Sequence, residues 1–157
     1  QAETVQFGLR IAQIPEDTPL SIFNIDTFRN PQASPFPIPE KLDGWLEVFR
    51  GEGSNWSFVR ASELEEGIAR ETAEKIAISD LCSTGFYYFA SASMFCRALS
   101  TERAQPSAPE LYIAPIYNHM IAEGGRVGYG VVDQRDLVLC GVPDEYESLL
   151  KSDSPWA

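Results

Sequence analysis

Histidine is almost missing from this sequence, with His119 alone among 157 residues. That scarcity argues against a metal site or a catalytic centre built on clustered imidazoles. Cysteine is scarce too. Cys82, Cys96 and Cys140 show neither paired spacing nor a C-x2-C pattern, so they read as small thiols in a reducing compartment, and a cytoplasmic location is expected. Bases are outnumbered by acids, 12 to 23, which leaves a formal charge of −11. Such a chain lacks the broad basic surface that a nucleic acid backbone or an anionic membrane requires. A nucleotide, held by local donors and a metal, is still compatible with it. No apolar run approaches the length that spans a bilayer, no signal-peptide pattern is visible, and there is no internal repeat.

What is present is the composition of an ordinary globular domain, 44% hydrophobic and 11% aromatic. The expectation is one domain over residues 1–157. It begins at Gln1 inside a helical pattern and so reads as part of a longer unit. Val5, Leu9 and Ala12 give Ala2–Ala12 a helical face. The turn Pro15-Glu16-Asp17-Thr18-Pro19 then leads into the stretch that organises the rest, Leu20–Phe28. Five of its nine residues are large and apolar, with Pro19 before it and Pro31 after it, so it reads as one short buried strand. Carboxyl ends of strands in α/β sheets are where ligands gather. Asp26 there suits a hard cation such as Mg²⁺, and it equally suits the start of a turn.

Pro31, Pro35, Pro37 and Pro39 make Arg29–Lys41 an irregular loop, a lid or a plain surface excursion. Gly44–Arg50 and Trp56–Arg60 read as strands, Ser62–Gly67 as an acidic bend, and Thr84–Phe89 as a second strong strand. Ser91–Leu99 reads as a helix capped by Ser91 or Ser93. A longer helix is expected over Glu110–Glu123, closed by Gly124-Gly125. Strands over Arg126–Val132 and Asp136–Cys140 and a helix over Asp144–Lys151 complete the α/β pattern. His119, on the expected helix, reads as a surface or capping residue.

Several of these pieces stand in a familiar order: Gln1-Ala2-Glu3-Thr4-Val5, Phe23-Asn24-Ile25-Asp26, Glu74-Lys75, and Ser83-Thr84-Gly85-Phe86-Tyr87-Tyr88-Phe89. The segments Glu110–Asn118 and Leu139-Cys140-Gly141-Val142-Pro143-Asp144-Glu145-Tyr146 follow. Together they resemble the carboxyl-terminal part of the sugar-phosphate nucleotidyltransferases, in the bacterial branch linked to surface polysaccharide. The resemblance implies a Rossmann-like α/β/α sandwich of the GT-A-like nucleotide-diphospho-sugar transferase fold, with its amino-terminal part missing. The activity implied is attack by a phosphorylated sugar or other small acceptor on an NTP, with release of pyrophosphate.

By the same resemblance, Asp26 would bind Mg²⁺ and Lys75 would hold the acceptor phosphate, both as catalytic residues. Glu74, Thr84 and Gly85 fall on acceptor-binding positions, and Ala2, Glu3 and Asn24 on nucleotide-binding ones. The family's glycine-rich triphosphate loop is absent. Leu139 stands where a second metal-binding Asp is common, so a fragment inactive by itself is expected. Two other readings remain: a metal-dependent glycosyltransferase of GT-A type, and a non-catalytic nucleotide-sugar-binding domain. The first usually carries an Asp-x-Asp pair, whereas Asn24-Ile25-Asp26 offers one amide and one carboxylate.

Overall fold

The computed structural model describes residues 1–33 and 40–151. The chain runs α1 (Ala2–Ile11), β1 (Leu20–Phe23), β2 (Thr27–Arg29), β3 (Gly44–Arg50), β4 (Ser57–Ala61), β5 (Ala69–Glu74), β6 (Leu81–Phe89), α2 (Ala92–Ala104), α3 (Ile116–Ala122), β7 (Val127–Val131), β8 (Leu137–Leu139) and α4 (Pro143–Leu150). The main sheet has the order β5-β4-β6-β3-β7, and β1 lies beside the carboxyl half of β6. Among the described residues only the β3–β7 pairing is parallel; the other pairings of this mixed α/β sheet are antiparallel. A second, two-stranded ribbon joins β2 to β8.

Strand β3, Gly-Trp-Leu-Glu-Val-Phe-Arg, is buried on both faces. Leu46 and Val48 point into the larger core, where they meet Val59, Phe89, Phe95, Leu99, Ile116 and Tyr117 beneath the helices. Phe49 points the other way, into a smaller cluster with Phe58, Cys82, Val132 and Leu137 under the ribbon. The alternation of side chains along a strand makes one sheet serve two cores. Each such aromatic or aliphatic side chain contributes about 1.5–3 kcal/mol on burial. Tyr117 stacks on Phe89 at 4.5 Å and donates its hydroxyl to the Tyr88 carbonyl at 2.9 Å. Its ring leaves no room for a Cβ at position 44, where glycine stands.

Three expectations are corrected. Leu20–Phe28 is not one buried central strand. The chain turns at Ile25-Asp26, so that β1 and β2 belong to different sheets. Among the described residues β1 pairs with β6 only, half-buried residues alternating with exposed ones. The polar Asn24 and Asp26 break the run, as the turn reading of Asp26 implies. The helix expected over Glu110–Glu123 starts only at Ile116, because Pro115 disfavours helical geometry in the residue before it. The strand expected over Thr84–Phe89 begins earlier, at Leu81. The remaining elements stand close to where the sequence places them, with Ser91 accepting from the Met94 amide as the cap of α2. Pro35, Pro37 and Pro39 lie outside the described residues.

Candidate active site

A cavity of about 570 Å³ opens between the β1–β2 turn, the ribbon and the middle of β6. Its floor is a bulge. Leu46 pairs with Tyr87 and Val48 with Ser83, so Glu47 alone on β3 faces Thr84, Gly85 and Phe86 on β6. A bulge of this kind kinks a strand and re-aims its side chains, often beside a site. The extra residues keep their amides satisfied locally: Gly85 N donates to Ser83 Oγ at 3.1 Å, and Phe86 N to Thr84 Oγ1 at 3.3 Å. Gly85 has φ +87°, and a Cβ there would lie 2.5 Å from Asn24 Nδ2. Glycine is required at this position for both its backbone angle and the close approach.

The sequence-derived residues distribute as follows. Asn24, Asp26, Glu74, Thr84 and Gly85 all line this cavity, together with Gln1 and Tyr112. Asn24 is held from two sides, its amide N–H donating to the Gly85 carbonyl at 3.0 Å and its Oδ1 accepting from Gln1 Nε2 at 2.5 Å. Lys75 is exposed at the rim. Its Nζ donates to the Tyr112 hydroxyl at 3.1 Å and stands 5.1 Å from that ring's centre. That hydrogen bond is the main reason the lysine's pKa is raised. Its backbone has φ +56°, an uncommon conformation for a side-chain-bearing residue. Glu74 is half-buried, and burial raises its pKa despite a short hydrogen bond from Ser57 Oγ.

Ala2 and Glu3 do not line the cavity. Ala2 is fully buried in the main core, and its amide donates to the Leu111 carbonyl. Glu3 pairs instead with Arg103 of α2 at 2.9 Å. Sequence reasoning singled out neither Tyr112 nor the β3–β4 loop, which closes another side of the cavity with Trp56. The aromatic character of both segments was the available signal.

Asp26 sits at the β1–β2 turn. Its carbonyl accepts from Cys140 N at 2.9 Å, and its carboxylate lies 3.5 Å from where a Cβ on Gly141 would be. Leu139, at the position where the family commonly has a second Asp, pairs with Thr27 in the ribbon. The Glu145 carboxylate is engaged, accepting from the Gly141 and Val142 amides at the start of α4. Among the described residues no three His, Cys, Asp or Glu side chains cluster as a metal cage. This donor set fits Mg²⁺ held by one carboxylate, with phosphate and water supplying the other ligands, which is how magnesium is usually bound at phosphates.

Comparison with known proteins agrees with this architecture. No protein-family model and no curated protein sequence matches the chain. Among solved structures, the nucleoside-diphosphate-sugar pyrophosphorylase from Vibrio cholerae RC9 is 40% identical, with a TM-score of 0.88 over 97% of this chain. This chain spans 65% of that protein's length. The inositol-1-phosphate CTP transferase from T. maritima is 14% identical and shares the fold, with a TM-score of 0.67 over 94% of this chain and 58% of its own. The fold is that of the nucleotidyltransferases. The resemblance to the sugar-phosphate nucleotidyltransferases read from the sequence is borne out.

His119 is half-buried rather than a surface cap. It donates to Glu102 Oε2 at 2.6 Å, in the helical layer formed by α2 and α3. All three cysteines are free. No helix among the described residues is long and apolar enough to cross a membrane.

Proposed function

We propose that this chain forms the acceptor-binding part of a nucleotidyltransferase. In the reaction a phosphate oxygen of a phosphorylated sugar or other small acceptor attacks the α-phosphorus of an NTP. The bond from that phosphorus to the β-phosphate bridging oxygen breaks, and pyrophosphate leaves. The observation that carries the reading is the convergence of Asn24, Asp26, Glu74, Thr84 and Gly85 on one cavity, with Lys75 tied to its rim through Tyr112.

Phosphoryl transfer of this kind needs charge neutralisation and in-line positioning more than covalent help. Asp26 is the residue that would hold Mg²⁺; when bound, the ion offsets charge on the phosphates. The ammonium of Lys75 suits the acceptor phosphate as a compact point charge. Glu74 is the residue that would orient an acceptor hydroxyl; Thr84, its hydroxyl engaged by Glu47 and the Phe86 amide, would shape the floor, and Gly85 lets Asn24 press against it. A glycosyltransferase reading is weaker, since Asn24-Ile25-Asp26 brings one carboxylate to the cavity where that class usually carries an Asp-x-Asp pair.

The test is pyrophosphate release by the complete polypeptide, with Mg²⁺, over a panel of NTPs crossed with sugar phosphates and small-alcohol phosphates. One preferred pair giving turnover, with the nucleotidyl product matched by mass, is the expected result. Binding of the product without turnover by any pair supports a non-catalytic domain instead.

A further inference from the structure

Glu47 stands out as a charge in the wrong place. It lies in the middle of β3, between Leu46 and Val48, with 3% of its surface exposed. A carboxylate so placed is kept only if it is paired and hydrogen-bonded. Both conditions are met, and by two different parts of the cavity wall. Glu47 Oε2 pairs with Arg29 Nε at 3.0 Å, and Arg29 lies on β2, three residues after Asp26. Glu47 Oε1 accepts from Thr84 Oγ1 at 3.1 Å, and Thr84 is the first of the three bulged residues that Glu47 faces. The same hydroxyl also accepts from the Phe86 amide, so the bulge's shape depends on where Thr84 points.

We infer that Glu47 is a positioning residue for the transfer site, holding the bulged floor of the cavity at a fixed distance from the turn that carries Asp26. The inference rests on the transfer reading above and adds a residue that touches no substrate. Leu137 and Leu139 bring the ribbon against the Phe49 cluster through apolar contacts, and the turn itself meets the bulge at one backbone hydrogen bond, from the Asn24 amide to the Gly85 carbonyl at 3.0 Å. Apolar contacts are non-directional and allow sliding. The ion pair and the hydroxyl bond, made by the two oxygens of one carboxylate, tie the ribbon and the bulge to the same residue. Reaction rates in such sites respond steeply to displacements of about 1 Å.

Two measurements test this. In Glu47→Gln, which keeps the side chain's size, the backbone amide resonances of Asp26 and Thr27 and those of Gly85 and Phe86 should shift together. Shifts confined to β3 overturn the inference, and this readout does not depend on any reaction. In the transfer assay, kcat per folded molecule should fall about tenfold or more, with the acceptor KM changed less than threefold. Thr84→Val should lower kcat similarly, and the double variant should lose no more than the larger single loss, because both break one linkage. If Glu47→Gln folds poorly, Glu47→Gln/Arg29→Gln removes the charge from both partners and restores stability; kcat should stay low. Recovery of kcat along with stability, or a parental kcat in Glu47→Gln, contradicts the positioning role. Absence of transfer by the parental protein contradicts the proposed function, while the amide spectrum decides for Glu47 independently.

Discussion

Among the described residues two carboxylates are buried, at 3% and 1% exposure, Glu47 under the cavity and Glu102 in the helical layer. Each holds a basic side chain with one oxygen and a hydroxyl with the other, Arg29 and Thr84 for Glu47, His119 and Ser107 for Glu102. Their electrostatics nevertheless differ in sign. Burial dominates at Glu47 and raises its pKa, against the lowering effect of Arg29 and Thr84. Burial is also the largest influence at Glu102, but the hydroxyl and amide of Ser107 together with His119 outweigh it and lower the pKa. The extra backbone donor, Ser107 N at 2.8 Å, is one structural difference between them. Glu102 accepts from the Ser107 amide, the Ser107 hydroxyl and His119, and so clips the end of α2, the following loop and α3 together. Glu47 has fewer donors and is kept at some electrostatic cost, at the place where two cavity walls meet. One carboxylate serves the fold; the other serves the geometry of the site.

The largest expected effect lies on the helical side. Glu102→Ala leaves His119 and the Ser107 amide without their acceptor, which should cost about 3 kcal/mol of stability. Urea denaturation reads this directly, and a loss under 1 kcal/mol would mean the clip is ornamental. Next is Lys75→Ala at the cavity rim. It should raise the acceptor KM by about tenfold, as expected for loss of one charge-assisted contact, and leave stability and Mg–NTP binding near parental. A change confined to NTP binding would reassign the lysine.

The smallest effect is a matter of slope with pH. A raised carboxylate pKa means that the folded state takes up its proton before the unfolded chain does. The Glu47 contribution is therefore fully present below the ordinary value of 4.5 and is lost as pH rises through the folded pKa. Glu102 behaves oppositely: its contribution is present above 4.5 and is lost as pH falls through its lowered folded value. The stability difference between parent and Glu47→Gln should thus move toward the parent on acidification from pH 7 to 4.5. For Glu102→Gln the parent's advantage should shrink below 4.5. Parallel slopes in a urea series over pH 3.5–7 would erase the distinction.

Much of this fold is legible in the sequence. Gly44–Arg50 announces itself by β-branched and aromatic residues, and the caps and breakers mark Ser91 and Gly124 correctly. What misleads is apolar content without regard to polar interruption. Leu20–Phe28 reads as one strand by its apolar count, yet Asn24 and Asp26 divide it between two sheets. Pro115 was visible too, and it cuts off the front of the expected helix. In the site, Asp26, Glu74, Thr84 and Gly85, drawn from the order of the family segments, all line the cavity, whereas Ala2 and Glu3 do not and their neighbour Gln1 does. Glu47 and Glu102 leave fainter traces. A single acid within Trp-Leu-Glu-Val-Phe is a signal that a buried partner exists, but Arg29 and Thr84 are 18 and 37 residues away along the chain. Only the sheet pairing and the bulge bring them together.

The most direct test sets Asp26→Asn beside Glu102→Gln in the pyrophosphate-release assay of the complete polypeptide, each expressed per folded molecule. Asp26→Asn keeps the shape and removes a charge, so kcat/KM should fall by about a hundredfold or more. Glu102→Gln, though less stable, should stay within about threefold of the parent at 15 °C, since it reaches no cavity residue directly. Near-parental turnover in Asp26→Asn, or an equal loss in both variants, would contradict the assignment of this cavity as the transfer site.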